Sequence, residues 1–156
     1  MGPGLVVKAA MQRRFSLMVF GWSQIGMDIQ PLVVMITGKG ELHGFSHTLL
    51  GATLIGLVCA SSGQYLGELG IRLMGLKSFL PITWPVAFAT SYIGTYSHVL
   101  IDSIMHLDVL PFAPLSTASP LHGIISIETL HTLCLVSASL GTIIYFVVAA
   151  VRREDI

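Results

Sequence analysis

Four long stretches of this chain are apolar, and the polar residues collect between them. The stretches run over about residues 15–36, 42–60, 80–105 and 123–151. Each approaches or exceeds the roughly 20 residues that a helix needs to cross a bilayer core. The pattern predicts an all-α integral membrane bundle of about four transmembrane helices, forming a single transmembrane domain over residues 1–156. The second stretch is the weakest, diluted by Gly51, Gly56 and Ser61; small residues of this kind serve helix–helix contacts in membranes by letting backbones approach. The first follows Lys8, Arg13 and Arg14, as a signal peptide would. It is too long for a signal core, contains Asp28 and Pro31 and lacks a small-residue cleavage site, so a retained span is expected. The longest stretch outside the spans, Leu107 to His122, carries Pro111, Pro114 and Pro120 and is expected to form a Pro-rich outer loop over the helix ends.

Composition agrees with that pattern. Of 156 residues, 53% are hydrophobic and 10% charged, and the mean hydropathy is +0.80. A soluble domain carries about 25% charged residues, so this chain has too few to make a water-facing shell. An ordinary cytosolic enzyme and a disordered chain are excluded. The 8 Lys+Arg balance 8 Asp+Glu, which leaves no basic field for a nucleic acid. Cys59 and Cys134 both lie in apolar runs, where free Cys behaves as a small buried hydrophobe, and no CxxC supports a cysteine-based zinc site.

The basic residues give an orientation. Lys8, Arg13 and Arg14 precede the first span, Arg72 and Lys77 lie between the second and third, and Arg152 and Arg153 follow the fourth. In a four-span chain these three regions share one side, and the other side has Lys39 alone. The positive-inside rule then places both termini in the cytoplasm of a cell whose inner membrane holds the protein.

Ionisable groups inside the apolar mass change the picture from anchor to site, because each costs about 2.5–3.5 kcal/mol at a span centre on insertion scales and so needs a partner or a task. Asp28 lies in the first span. The second begins Glu41-Leu42-His43-Gly44-Phe45-Ser46-His47-Thr48, and the third ends Ser97-His98-Val99-Leu100-Ile101-Asp102-Ser103-Ile104-Met105-His106. The expected topology sends all of these, with Asp108, His122, Glu128 and His131, to the outer half. His43 and His47 are four apart, as are His98 and Asp102, so each pair is expected to share a helix face. Three imidazoles and a carboxylate are a common ligand set for zinc and for non-haem iron or manganese, and facing helices of a bundle can present such ligands inward. The expected ligands of a divalent metal, zinc foremost and one or two ions, are His43, His47, His98 and Asp102, joined by Asp28. His106 and His131 are further candidates. Glu128 and His131 form one ExxH pattern where di-iron bundles need two. Trp22, Trp84, Tyr92 and Tyr96 read as interfacial anchors or packing, and Gly44 as a place where backbone or substrate comes close.

At these residues the sequence resembles the bacterial membrane-bound metal-dependent hydrolase family, whose best-known branch is described as LexA-regulated. The resemblance rests on Asp28-Ile29-Gln30-Pro31 at the end of the first segment, the His43-Gly44-Phe45-Ser46-His47-Thr48 box and the Ser97-to-Asp102 box, with Asp102 to His106 leading to Pro111-Phe112-Ala113-Pro114. It covers about residues 4–135. The family usually has a further histidine before its first helix, where this chain begins Met1-Gly2-Pro3-Gly4, and some relatives carry a DxD where this chain has Asp28 alone. The resemblance implies a hydrolase. Its catalytic groups would be Asp28 and Asp102, with Asp28 as general base or second-metal ligand, and its substrate a phosphoester or other ester of a lipid-like amphiphile near the outer face. The bilayer and that substrate are the expected partners, with a homo-oligomer also open and nucleic acid excluded. The rivals are a non-catalytic metal-binding or metal-transport protein, and a haem bundle ligated by His47 and His98.

Overall fold

A computed structural model describes residues 2–151; Arg152 and Arg153, assigned above to the basic side, lie outside the described residues. Those residues form five α-helices and no strand: α1 (Gly2–Met11), α2 (Leu17–Thr37), α3 (Leu49–Leu73), α4 (Trp84–Met105) and α5 (Ile127–Val151). Three of them, α2, α3 and α5, are long and apolar enough to cross a membrane. The 22-residue α4 matches them in length, rising about 33 Å at 1.5 Å per residue. Its shortfall is in hydropathy, because the face it buries carries Thr90, Ser91, Thr95 and Ser103.

Helices α2, α3 and α4 pack on one another, and the close contacts run over small residues. Gly56 of α3 faces the Tyr92 ring and Thr95 of α4, and Gly94 of α4 faces the Ser23 side chain of α2, each with no room for a Cβ. Ser91 Oγ donates to the Gly56 carbonyl at 2.8 Å, and Ser23 Oγ to its own helix at Phe20 O. Both hydroxyls thus donate to helix carbonyls, one across to a neighbour and one within its own helix, as apolar surroundings demand. Two apolar clusters tie the three helices, one of Val19, Ile71, Ile82 and Ala87 and the other of Met27, Ala52 and Val99. The second cluster sits against the chemistry, since Asp28 and His98 are the chain neighbours of Met27 and Val99.

The helix ends follow from local rules. The Ser16 side chain accepts from Val19 N at the start of α2, and Gly38, at φ 67°, ends that helix in the left-handed conformation open to glycine. Thr48 starts α3 by accepting from Gly51 N at 2.9 Å while its hydroxyl donates to Phe45 O.

Three expectations are corrected. The second apolar element starts and ends later than 42–60: the helix is Leu49–Leu73, preceded by a turn and a short 3₁₀ segment, Phe45–His47. Ser61 lies exposed on this helix, while Gly51 and Gly56 are buried as expected. The last helix is not a fourth wall of the site, because its main packing partner is α1. The N-terminal residues, expected outside the spans, form that partner: α1 runs alongside α5, with Gly2 against Cys134 and Gly141 against the Leu5–Val6 backbone. Both cysteines are free thiols.

The chain from His106 to Ser126 contains no α-helix. It is tied to the helix ends by Leu49 N donating to Pro111 O at 2.8 Å and Gly123 N to Ile104 O at 3.0 Å, and Val109 within it is fully buried.

Candidate metal centre

Four histidines meet where the end of α4, the 3₁₀ turn before α3 and the second half of α2 converge. The ring centroids are 4.9 Å apart for His43 and His47, 5.3 Å for His47 and His98, and 4.4 Å for His43 and His106. Their spacing does not arise as expected. His98 and Asp102 do share a face of α4, but His43 and His47 are brought together by a turn rather than by helical periodicity.

The carboxylates lie among the rings. Asp102 Oδ2 is 3.1 Å from His47 Nε2 and 3.2 Å from His98 Nε2, and Asp28 Oδ1 approaches the same His98 nitrogen at 3.3 Å. Asp108 Oδ2 lies 2.9 Å from His43 Nδ1. Three overlapping groups each place one ligand atom per residue within 4.8 Å of one another: Asp28, His47 and His98; His43, His47 and Asp102; and His43, His106 and Asp108. Every expected ligand except His131 falls in one of them.

His131 and Glu128 are exposed on α5 and belong to no such group among the described residues, so the ExxH pattern is set aside. His122 is exposed as well. Burial is graded: the side chains of His47, His43, His98 and Asp102 are 0%, 9%, 11% and 15% exposed, that of Asp28 61%. Asp28, with Asp108 at 60% on the far side of His43, thus forms the open edge of the cluster.

Hydrogen bonds around the rings fix which nitrogen faces the centre. Gln24 Nε2 donates to Gly94 O at 3.0 Å, which turns its Oε1 toward His98 Nδ1 at 3.1 Å. A carbonyl can only accept, so Nδ1 carries a proton and Nε2 is the edge of His98 that faces Asp28 and Asp102. The same logic applies to His43, whose Nδ1 donates to the Asp108 carboxylate at 2.9 Å. Burial raises the Asp108 carboxyl and the His43 contact lowers it, with a net position below the usual carboxylate value. His47 is held at Nδ1 by Ser46 Oγ at 2.9 Å, while its buried Nε2 makes no hydrogen bond although Asp102 is close.

Two residues that the sequence did not single out position this cluster. One is Gln24. The other is Gln30, whose Oε1 accepts from Ser46 N at 2.8 Å and whose Nε2 donates to Glu41 O at 3.2 Å, strapping the histidine turn onto α2. Gly44 makes room for that Gln30 amide, which occupies the space expected for backbone or substrate. A polar amide one turn before Asp28 in an apolar run was the available signal for Gln24.

Ring nitrogens and two carboxylates gathered on one small volume can share protons or a divalent cation. Ligating histidines typically have the other ring nitrogen hydrogen-bonded, and this arrangement supplies that feature three times. The donor set of imidazole nitrogen and carboxylate oxygen suits a divalent ion of the zinc, iron or manganese class. No family model, curated protein or solved structure matches this chain.

Proposed function

We propose that this protein is a membrane-embedded, metal-dependent hydrolase. In this reading four helices, α2 to α5, span the inner membrane of a bacterium with the C-terminal end of α5 and the Arg13–Arg14 turn on the cytoplasmic side, α1 lying beside α5, and the His/Asp cluster lies near the outer face. The observation that carries it is the buried, hydrogen-bond-free His47 Nε2 beside Asp102, next to a His98 whose Nε2 is turned inward by Gln24. His47, His98, His43 and Asp102 are the candidate ligands, three of them holding any one ion so that a position stays open for chemistry; zinc is the first expectation, and the resemblance of the histidine boxes to membrane-bound metal-dependent hydrolases supplies the reaction class.

A divalent ion, when bound, supplies Lewis acidity, polarising a phosphoryl or carbonyl oxygen and acidifying water. The chain's own residues do the rest. Gln24 and Asp108 keep two rings in the tautomer that faces the centre. Asp28, the exposed carboxylate, is the general base, since a proton acceptor must reach both water and substrate. Asp102, enclosed between two rings, stays ionised as ligand and partner of both. A site at one end of apolar helices favours an amphiphile, so the substrate class is a phosphoester or other ester of a lipid-like molecule.

The alternative is a closed, non-catalytic metal site, favoured if all three imidazoles and Asp102 ligate one ion and fill its tetrahedral shell. Purified protein assayed for metal and then for phosphate or fatty-acid release from bilayer lipids separates the two. Metal with turnover that Asp28→Asn abolishes supports the hydrolase; bound metal without turnover on any ester supports the closed site.

A further inference from the structure

At the end of the bundle opposite the histidines, a cavity of about 640 Å³ opens between the start of α2, the ends of α3 and α5, and the segment leading into α4. That is within the usual size range of a small-molecule site, about 300–1,000 Å³. Leu17 and Met18 on its wall precede Asp28 by ten or eleven residues on one helix, about 15 Å, so the cavity is separate from the metal centre. Its lining is apolar apart from a few groups: the cations Lys8 and Arg13 and the hydroxyls of Ser16, Ser78 and Thr83, besides Tyr145. Among the described residues, no Asp or Glu lines it.

The cationic side is built into the fold. Lys8 is buried on α1, its Nζ donating to Gln12 O at 2.8 Å and Phe15 O at 2.9 Å, and it lies 5.3 Å from the Phe79 ring centroid. Arg13 is exposed at the turn that follows. The rim residues Leu17, Met74 and Leu76 are also exposed. An apolar rim admits a ligand from the bilayer more readily than from water, and an arginine at the cavity's edge attracts a negative head group.

We propose that this cavity binds an anionic phospholipid of the surrounding leaflet, with an acyl chain inside and the phosphate at Arg13. Basic pockets between membrane helices take anionic head groups on general electrostatic grounds. The proposal rests on the membrane-spanning character of the helices and goes beyond the hydrolase reading.

The test is native mass spectrometry of the detergent-purified full chain, titrated with phosphatidylglycerol and with phosphatidylcholine of identical acyl chains. Retention of the glycerol lipid over the choline lipid is expected, and Arg13→Gln should reduce that preference about fivefold, the effect of one basic residue near a lipid surface. Leu17→Trp, which adds bulk at a half-exposed rim position, should lower retention of the glycerol lipid without touching the buried Lys8. Equal retention of both lipids, an unchanged preference in Arg13→Gln, or oleate displacing phosphatidylglycerol at equal concentration would overturn the proposal.

Discussion

Gln24 holds the His98 ring by its Nδ1 edge, 3.1 Å from Oε1, while Asp28, one turn further along α2, approaches the opposite edge at 3.3 Å. One face of one helix thus sets the tautomer of a histidine on its neighbour and supplies a carboxylate to the nitrogen it exposes. A half-buried amide in an apolar helix is costly unless both its ends are satisfied, and Gly94 O satisfies the other end.

This arrangement makes Gln24→Leu informative. Removing the acceptor frees Nδ1, and loss of such a partner typically weakens metal affinity about 10–100-fold. The helix should persist, because leucine suits an apolar span. A chelator titration on purified variant and parent measures the shift; identical affinities would show that Gln24 does not orient the ring.

Ligand identity is read from single alanine variants. His47→Ala and His98→Ala should each lower metal content severely, whereas His122→Ala and His131→Ala, at exposed positions outside the cluster, should leave it unchanged. Elemental analysis of the four preparations decides, and equal effects across the set would contradict the proposed site.

The two aspartates should separate. Asp102→Asn removes a carboxylate enclosed by two rings and should cost both metal and turnover. Asp28→Asn, at the exposed edge, should retain most of the metal while turnover falls by about 10²–10⁴-fold, the usual contribution of a general base. Full activity in Asp28→Asn would remove it from the mechanism.

Much of this was legible in the residues, for definite reasons. The first and third apolar stretches, expected over 15–36 and 80–105, are the helices Leu17–Thr37 and Trp84–Met105, because their hydropathy ends where a cap or a polar turn begins. The second was displaced because Ser61, Ser62, Gln64 and Glu68 lower its hydropathy, while the face that decides its packing is a stripe of small residues, Gly56, Gly63 and Gly67. Hydropathy averages a helix over all its faces, and here the buried face is small rather than greasy. The grouping of His43 with His47 was legible, but its cause was not: a 3₁₀ turn held by Gln30 leaves no periodic signal. His131 was misplaced with the cluster because depth along the membrane normal does not tell which helices touch. Asp108, counted earlier only for the side it lies on, turns out to hold His43 from a loop.

The small-residue contact gives a stability prediction. Gly94→Val places branched carbon against Ser23 on α2, and overpacking of this kind costs about 1–3 kcal/mol. Thermal unfolding in detergent should shift down clearly; an unchanged midpoint would mean that α2 and α4 do not approach closely there.

Orientation is tested with a cysteine at Ser116 or Ser78 in a background carrying Cys59→Ala and Cys134→Ser. An impermeant thiol reagent applied from the periplasmic side should label the first and not the second. The reverse pattern would place the histidine cluster on the cytoplasmic face.

The most direct measurement is the metal content of the full chain, purified without chelator and dialysed against metal-free buffer. The account predicts one or two divalent ions per chain, retained by the parent and lost with His47→Ala. A parent protein without stoichiometric metal, and unable to take up zinc, iron or manganese when supplied, would mean that protons alone bridge these rings and carboxylates, and the metal centre would be contradicted.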